Sequence, residues 1–150
     1  MQPIILNHIP FEVNTDRLIA SLHVAADSDA ATELQVLIEE AQAVARPKAL
    51  YRVAYISAKS DDGVVAEGVR LSSRLLRVNL ERAHRMFPYL ATCGTELDRW
   101  SRSKEDVLHQ YWAEEIKLMA LRAAQRALNA HLMAHHAPGK TSTMSPGRVP

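Results

Sequence analysis

Four groups of residues in the last third of the sequence could carry chemistry. Cys93 follows an apolar segment and precedes Gly94, a place where the N-terminus of a following helix could stabilise a thiolate. No histidine neighbours it in the sequence, and the chain has no second cysteine to serve as a redox partner. We therefore expect Cys93 to pack in a turn rather than to react.

Three histidines lie together at the end of the last apolar segment. His131 and His135 are four residues apart, which places two imidazoles on one helical face as a metal pair requires, and His136 is adjacent. No third ligand at a fitting spacing completes the group, and the helix dipole favours histidine at helix C-termini anyway. The sequence therefore predicts no metal site here.

A row of charges precedes the histidines: Glu114, Glu115, Lys117, Arg122 and Arg126. Their spacing is typical of a solvated helix face joined by i,i+3 and i,i+4 pairs, which is the interpretation we favour. A paired-carboxylate site for acid–base work would need a partner from elsewhere in the fold.

The last group is Ser145-Pro146-Gly147, where proline fixes φ and glycine allows the backbone to approach a ligand closely. Many plain turns contain such a tripeptide, so it is a weak indication alone.

Hydrophobic periodicity predicts the elements that must position these residues. We expect helices at about residues 15–24, 29–46, 73–82 and 104–136, with N-caps at Asn14 or Thr15, Ser28 or Asp29, and Ser72 or Ser73. Residues 50–71 predict a hairpin turning at Asp62-Gly63, while residues 4–6 and 86–92 predict further strands of the same sheet. The predicted fold class is α+β: a mixed or antiparallel sheet packed by helices, with one long buried C-terminal helix. Residues 1–137 would form one domain and residues 138–150 a Pro/Gly/Ser tail.

The long predicted helix carries two apolar stripes. One consists of Leu108, Trp112, Ile116, Met119, Ala123 and Ala127, and the other of Leu121, Ala124, Leu128 and Leu132. Two stripes mean contacts on two sides, so we expect this helix to lie against a sheet with other helices beside it.

Composition excludes several classes of function. The 150 residues carry 18 basic and 17 acidic side chains without a basic block, so no long-range field selects nucleic acid or an anionic membrane. The N-terminus lacks the features of a signal peptide, and no apolar run approaches the roughly 20 residues of a membrane span. A single cysteine cannot form an internal disulfide, which favours a reducing, cytoplasmic location.

The order of these features is more specific than any one of them. A hairpin around Asp-Gly, a Ser-capped helix, an apolar strand ending in Thr92-Cys93-Gly94, a long Ala/Leu helix and then Ser145-Pro146-Gly147 follow one another. This succession resembles the activation (reactivation) domain of cobalamin-dependent methionine synthase, and more closely its small free-standing relatives. The resemblance covers about residues 48–147, with the family's Thr-x-Gly turn at Thr92–Gly94 and its Pro-Gly turn at Pro146-Gly147.

The resemblance implies an accessory role in corrinoid chemistry. The family binds S-adenosylmethionine and presents its methyl group to an oxidised cobalamin, which is held by another domain or protein and reduced by a flavodoxin-type partner. The family's work is chiefly positioning. By resemblance, the S-adenosylmethionine site would comprise Ser145, Pro146, Gly147, Arg148 and Gln125. The implied partners are a corrinoid-binding protein or methyltransferase and the reductant.

Two departures from the family pattern bear on this site. An arginine stands three residues before the Pro-Gly turn and a tyrosine after it in methionine synthase, where this chain has Thr143 and Arg148. The family carboxylate on the long helix aligns with the uncharged Gln125, and Arg148 would have to bind the ligand carboxylate from the other side. The chain also ends three residues after Gly147, whereas the family continues; the resemblance therefore implies either a truncated sequence or a relative that has lost the ligand.

Two other interpretations stay open. The chain could be a non-catalytic interaction module of a corrinoid methyltransferase system that no longer binds S-adenosylmethionine. An apolar surface left uncovered by a missing segment would then favour a homodimer. It could also be an α+β domain of unrelated purpose.

Overall fold

Five helices and seven strands form in residues 2–145, the part of the chain that the computed structural model describes, and they confirm the predicted α+β class. In chain order they are β1 (Ile4–Leu6), α1 (Thr15–Ser21), α2 (Asp29–Val44), β2 (Lys48–Tyr51), β3 (Ala54–Lys59), β4 (Gly63–Ala66), β5 (Val69–Ser72), α3 (Arg74–Asn79), β6 (Arg85–Met86), β7 (Tyr89–Thr92), α4 (Thr95–Arg102) and α5 (Val107–His136).

The described chain divides into two compact units, each assembled from segments that are distant in sequence. The helical unit comprises residues 5–50 and 90–131, and the hairpin unit comprises residues 2–4, 51–89 and 132–145. The helical unit contains α1, α2, α4 and most of α5. It also contains most residues of a three-stranded sheet with the order β1-β2-β7.

Side-chain caps fix where three of the helices begin. Asn14, Ser28 and Ser73 each accept a hydrogen bond from the backbone N–H three residues further on, at 3.0–3.2 Å. One member of each predicted pair of caps is thus confirmed, because a short polar side chain there satisfies an N–H that lacks a helical partner. The second helix ends at Val44, shortly before Pro47, as the restriction on residues that precede proline predicts.

The core of the helical unit is formed by packing between helices. Three residues of α5 are at most 2% exposed: Trp112, Ile116 and Ala120. They pack with buried residues of α1, of α2 and its C-cap, and of α4, namely Leu18, Leu34, Leu37, Ile38, Ala41, Ala45 and Leu97. Ala41 and Ala120 are fully buried, and such small side chains allow helix backbones to approach closely. This cluster holds α5 in place.

The hairpin unit is built on a four-stranded sheet with the order β5-β4-β3-β6. All three pairings are antiparallel, and a bulge interrupts β3 between Ile56 and Ala58. The β3–β4 turn closes where the Ser60 N–H donates to the Gly63 carbonyl at 2.9 Å. Helix α3 packs against β4.

The predicted strands are divided more finely than expected, and the expectation of one sheet was wrong. Residues 50–56 do not form one strand: β2 and β3 belong to different sheets and are separated by Arg52 and Val53. Residues 86–92 are divided at Pro88, which has no N–H to donate to a ladder. Its carbonyl instead accepts the Arg52 N–H at 3.1 Å.

The stretch 64–71 contains a second tight hairpin that was not predicted. Glu67 and Gly68 both have positive φ, at 48° and 76°, and connect the paired residues Ala66 and Val69. Two successive residues of positive φ form the turn that matches strand twist. Glutamate rarely occupies such a position, so the dipeptide gave no turn signal in the sequence.

Two predictions for the helices also need correction. Residues 95–102 form α4, which was not among the predicted helices, and α5 begins at Val107 rather than near 104. Leu108 was assigned to the buried face but is 48% exposed. The buried residues of α5 instead recur every four positions, as Trp112, Ile116, Ala120, Ala124, Leu128 and Leu132, with Ala113 beside the first of them.

Replacing Trp112 with alanine should be among the most destabilising single changes in the chain. The indole is 2% exposed and lies in the helical core, so its loss removes apolar contacts and leaves a cavity. We expect a loss of about 3–5 kcal/mol in the free energy of unfolding, measured by urea denaturation. A loss below about 1 kcal/mol would show that the core does not depend on this side chain.

Candidate functional site

The structure describes two of the five predicted site residues. Gln125 is exposed on α5 in the helical unit, and Ser145 is half-buried in the hairpin unit. Pro146, Gly147 and Arg148 lie outside the described residues. The predicted grouping of these five residues into one site therefore stays a prediction.

The segment that leads to Ser145 is anchored within the hairpin unit. After α5 ends, Ala137 and Gly139 adopt positive φ of 39° and 73°, which turns the chain away from the helix axis. The Nδ2 of Asn79, the last residue of α3, donates to the sulfur of Met144 at 3.6 Å. The chain thus approaches the Ser-Pro-Gly sequence from a position beside α3.

The last turn of α5 is held by a cluster of rings. His136 makes edge contacts with Tyr51 at 5.6 Å and lies 5.5 Å from Phe87, measured between ring centroids. The Arg85 guanidinium donates to the His136 carbonyl at 2.8 Å and lies 5.2 Å from the centroid of Phe87. Cationic contact with a carbonyl at a helix C-terminus is favourable. These contacts give the last histidine a packing role.

The Thr92–Gly94 turn is the best-defined candidate motif in the helical unit. Gly94 is buried at the start of α4, has a φ of 92°, and donates its N–H to the Thr92 hydroxyl at 3.1 Å. A Cβ at this position would lie 2.6 Å from the Arg46 carbonyl oxygen. Conformation and space therefore both require glycine here.

An ion pair between Lys48 and Glu96 lies next to this turn. The Lys48 ammonium donates to the Arg46 carbonyl and to both Glu96 oxygens, at 2.9–3.0 Å. The hydrogen bond from Lys48 is the main reason why the pKa of Glu96 lies below its ordinary value. The carbonyl that faces Gly94 is thus itself fixed.

Beside the turn lies an open hollow of about 330 Å³. Its walls come from β7, the turn and α5: Ala91, Thr92, Cys93, Glu114, Lys117, Leu118 and Leu121. Its size is at the lower end of what small-molecule sites offer. Three of these residues are apolar, and Thr92, Glu114 and Lys117 bring polar groups to its wall.

Lys117 is the charged residue that joins α5 to α4 at this hollow. Its ammonium donates to Asp98 at 2.7 Å and to Glu114 at 3.2 Å, and its side chain is only 17% exposed. Burial alone would lower the pKa of Lys117, but the hydrogen bonds to the two carboxylates outweigh burial and hold it above its ordinary value. The same contact holds the pKa of Asp98 below its ordinary value.

Cys93 lines this hollow with a half-buried side chain whose sulfur lies 3.6 Å from the Gly94 carbonyl oxygen. Burial raises the pKa of its thiol, and the nearby Lys117 ammonium only partly opposes that effect. Because the thiolate is the nucleophilic form, the surroundings of Cys93 disfavour reaction.

A second open hollow of about 370 Å³ lies at the other end of the α4–α5 junction. It is lined by Ser101, Arg102, Lys104, Val107, Gln110, Tyr111 and Glu114. The Lys104 ammonium is paired with Glu40 and lies 5.0 Å from the centroid of the Trp100 ring. Glu114 borders both hollows, so the two are adjacent along α5.

Sequence analysis missed the part that Lys117 and Asp98 play. The charged row of α5 was interpreted as a solvated face, which describes Glu114 but not Lys117, because the latter is largely buried against α4. A pairing between separate helices leaves no local spacing signal, and α4 itself was not predicted.

Residues 2–145 lack two further kinds of feature. No cluster of three or more histidine, cysteine, aspartate or glutamate side chains there is arranged to hold a metal ion. No helix in the same range combines the length and the apolar character that crossing a membrane would demand.

Gly94→Ala should destabilise the protein far more than Gly68→Ala, although both glycines have positive φ. A methyl group at 94 meets the Arg46 carbonyl, whereas nothing lies within 4 Å of a Cβ at 68. We expect losses of more than about 2 kcal/mol and of about 1 kcal/mol, respectively, in the free energy of unfolding. Equal losses in urea denaturation would mean that the close approach to Arg46 is absent.

Cys93 should react with iodoacetamide at pH 8 at least about tenfold more slowly than an exposed thiol, because both its thiolate fraction and its access are reduced. The control is Thr141→Cys in a Cys93→Ser background, since residue 141 is exposed and lies outside any helix. The rate at Cys93 should rise as the pH increases and as the chain unfolds in guanidinium chloride. Faster reaction at Cys93 than at the control would contradict a buried, protonated thiol.

No protein-family model and no curated protein sequence matches this chain. Its assignment to a function therefore depends on its own residues and geometry.

Proposed function

We propose that this chain is a methionine synthase activation-domain-like protein. It would support the reductive methylation of a corrinoid cofactor held by a partner protein, with S-adenosylmethionine as the methyl donor. The order of β7, the Gly94 turn, the long core helix α5 and the segment that leads to Ser145 carries this proposal, although the short helix α4 separates the turn from α5. The same order characterises the family that the sequence resembles.

The conformation of the Gly94 turn supports the resemblance in addition to the order of elements. The family pattern requires glycine at the third position of the Thr-x-Gly turn, and here the backbone itself requires it, through its positive φ and its contact with Arg46. A chance Thr-Cys-Gly sequence would not need to adopt this conformation. The turn therefore supports the resemblance, though it does not specify a ligand.

In this proposal the protein binds and orients, and S-adenosylmethionine supplies the methyl group. The backbone at Pro146-Gly147 would approach the nucleoside closely, and Arg148 would pair with the carboxylate of the amino-acid part. The anchoring of Met144 by Asn79 fits this arrangement, because the turn then starts from a fixed point beside α3. Holding a donor in line with a metal centre is catalysis by proximity.

The proposal extends to partners and location. The corrinoid would reside on a separate binding protein or methyltransferase, and a flavodoxin-type protein would deliver the electron. A reducing cytoplasmic setting agrees with the free thiol of Cys93.

Gln125 favours a second candidate, an interaction module that docks on the corrinoid protein without using S-adenosylmethionine. It stands at the place aligned with the family carboxylate, yet it is uncharged and exposed, and its side chain makes no hydrogen bond within residues 2–145. A glutamine amide can form hydrogen bonds, but it cannot pair with a positively charged group of the ligand as the family carboxylate does.

Isothermal titration calorimetry with S-adenosylmethionine separates the two candidates. The proposed function predicts a saturable heat of binding with a dissociation constant in the micromolar range, about −8 kcal/mol. The interaction module predicts no heat for a chain whose folding has been verified by circular dichroism. That result would overturn the methyl-donor role.

Variants can locate the site, because the chain contains two Pro-Gly pairs. Gly147→Val should weaken binding at least about tenfold, whereas Gly139→Val, in the pair Pro138-Gly139, should leave the affinity unchanged. Valine at position 139 will also lower the stability of the protein, because Gly139 has a φ of 73°, so this control separates a loss of stability from a loss of binding. An equal loss of affinity in both variants would place the ligand elsewhere.

A further inference from the structure

One face of α5 in the helical unit carries an unusual row of residues. Its members are Val107, Tyr111, Glu114, Leu118, Leu121 and Gln125, and their spacing alternates regularly between four and three. We call this row the α5 seam. An alternation of four and three repeats every seven residues, which is the pattern by which two helices pack along a shared line.

The apolar members of the seam are open to solvent. Val107 is 79% exposed, Tyr111 55% and Leu118 38%, and Leu121 is half-buried. Trp112, on another face of the same helix, is 2% exposed in the core. The seam is therefore separate from the stripe that anchors α5.

In the described part of the chain, the charged side chains that lack an ion-pair partner differ in sign between the two ends of the seam, since Arg102 and Lys104 at the first end already pair with Asp98 and Glu40. Glu105 and Asp106 stand before its first residue, and Arg122 and Arg126 stand at its far end; all four are exposed. Within residues 2–145, neither arginine has an ion-pair partner. A second, antiparallel α5 would bring each acidic end next to a basic end, whereas a parallel one would bring like charges together.

We propose that the α5 seam is a homodimer interface, on which α5 of a second copy of this chain packs antiparallel about a twofold axis near Glu114. The seam meets the requirement of such an interface, which must be complementary to itself. Reversal places Val107 and Tyr111 against the partner's Leu121 and the partner's Leu118. This interface does not depend on the proposed function.

The hollows on either side of Glu114 fit the same arrangement. Antiparallel packing about the axis near Glu114 places the 370 Å³ hollow of one copy opposite the 330 Å³ hollow of the other. Tyr111 borders the first and Leu118 the second, so each side chain faces the partner's opposite hollow. Space that a single copy leaves open thus becomes room for side chains of the second.

Charge at the centre is also accommodated. Glu114 is 65% exposed in its side chain and already pairs with Lys117 at 3.2 Å. In the antiparallel arrangement the partner's Lys117 comes next to Glu114, so the two carboxylates near the axis lie between two ammonium groups.

The seam spans roughly 27 Å of helix. Because a stable dimer needs about 800 Å² from each partner, the walls of the hollows must be covered as well.

Sedimentation velocity tests whether the dimer exists. At about 100 µM the unchanged chain should sediment as a dimer, if the dissociation constant is near 1 µM. Leu118→Lys should raise that constant at least about tenfold. Val36→Lys is the matched control, since Val36 is 50% exposed on α2, and it should leave the constant unchanged.

A monomer at about 100 µM would overturn the proposal. A dimer that responds equally to both lysine variants would also overturn it, because the interface would then lie elsewhere. Circular dichroism confirms in each case that the variant is folded.

Cysteine cross-linking tests the direction of packing in a Cys93→Ser background. Glu114→Cys should form a disulfide with itself, because residue 114 lies near the axis. Val107→Cys should not cross-link alone but should do so when mixed with Leu121→Cys, since disulfides need Cα atoms within about 7 Å. Efficient self-linking of Val107→Cys would indicate parallel packing and would contradict the proposed interface.

Discussion

Burial of one stripe of α5 against α1, α2 and α4 is the constraint on which the helical unit depends. Trp112 and Ile116 supply the apolar volume, and the fully buried Ala41 and Ala120 let the helix backbones approach. Since this contact fixes the rotation of α5, it also decides which residues the helix presents elsewhere. The hollow beside Cys93 and the α5 seam exist because the packed stripe faces the other way.

The candidate functional features of the helical unit are consequences of that fixed rotation. Lys117 is held between Asp98 of α4 and Glu114, so it ties the two helices together beside the Thr92–Gly94 turn. The turn in turn requires glycine, because the Arg46 carbonyl occupies the space of a side chain. These contacts describe a rigid frame with shallow hollows, which agrees better with positioning a ligand or a partner than with acid–base catalysis at the frame itself.

Much of the architecture was predictable from local rules. Asn14, Ser28 and Ser73 cap helices because a short polar side chain satisfies a free N–H, and this needs no knowledge of the tertiary fold. The division into two sheets was not predictable, since continuous apolar stretches conceal the change of partner near Arg52 and Pro88. Of the candidate site, the sequence supplied the Gly94 turn but not the Lys117–Asp98 pair, which joins residues from two separate helices.

The sequence by itself determined the α+β class, three helix caps and the need for a long apolar helix, because each depends on spacing along the chain. Only the tertiary structure decided which charged residues share a unit. Residues 51–89 already carry seven basic and four acidic side chains in the sequence, and folding adds Lys140 to them in the hairpin unit; residues 5–50 and 90–131, with nine basic and thirteen acidic side chains together, form the helical unit. The physical reason is that each unit is assembled from distant segments, so its net charge and its exposed apolar faces depend on which segments pack together.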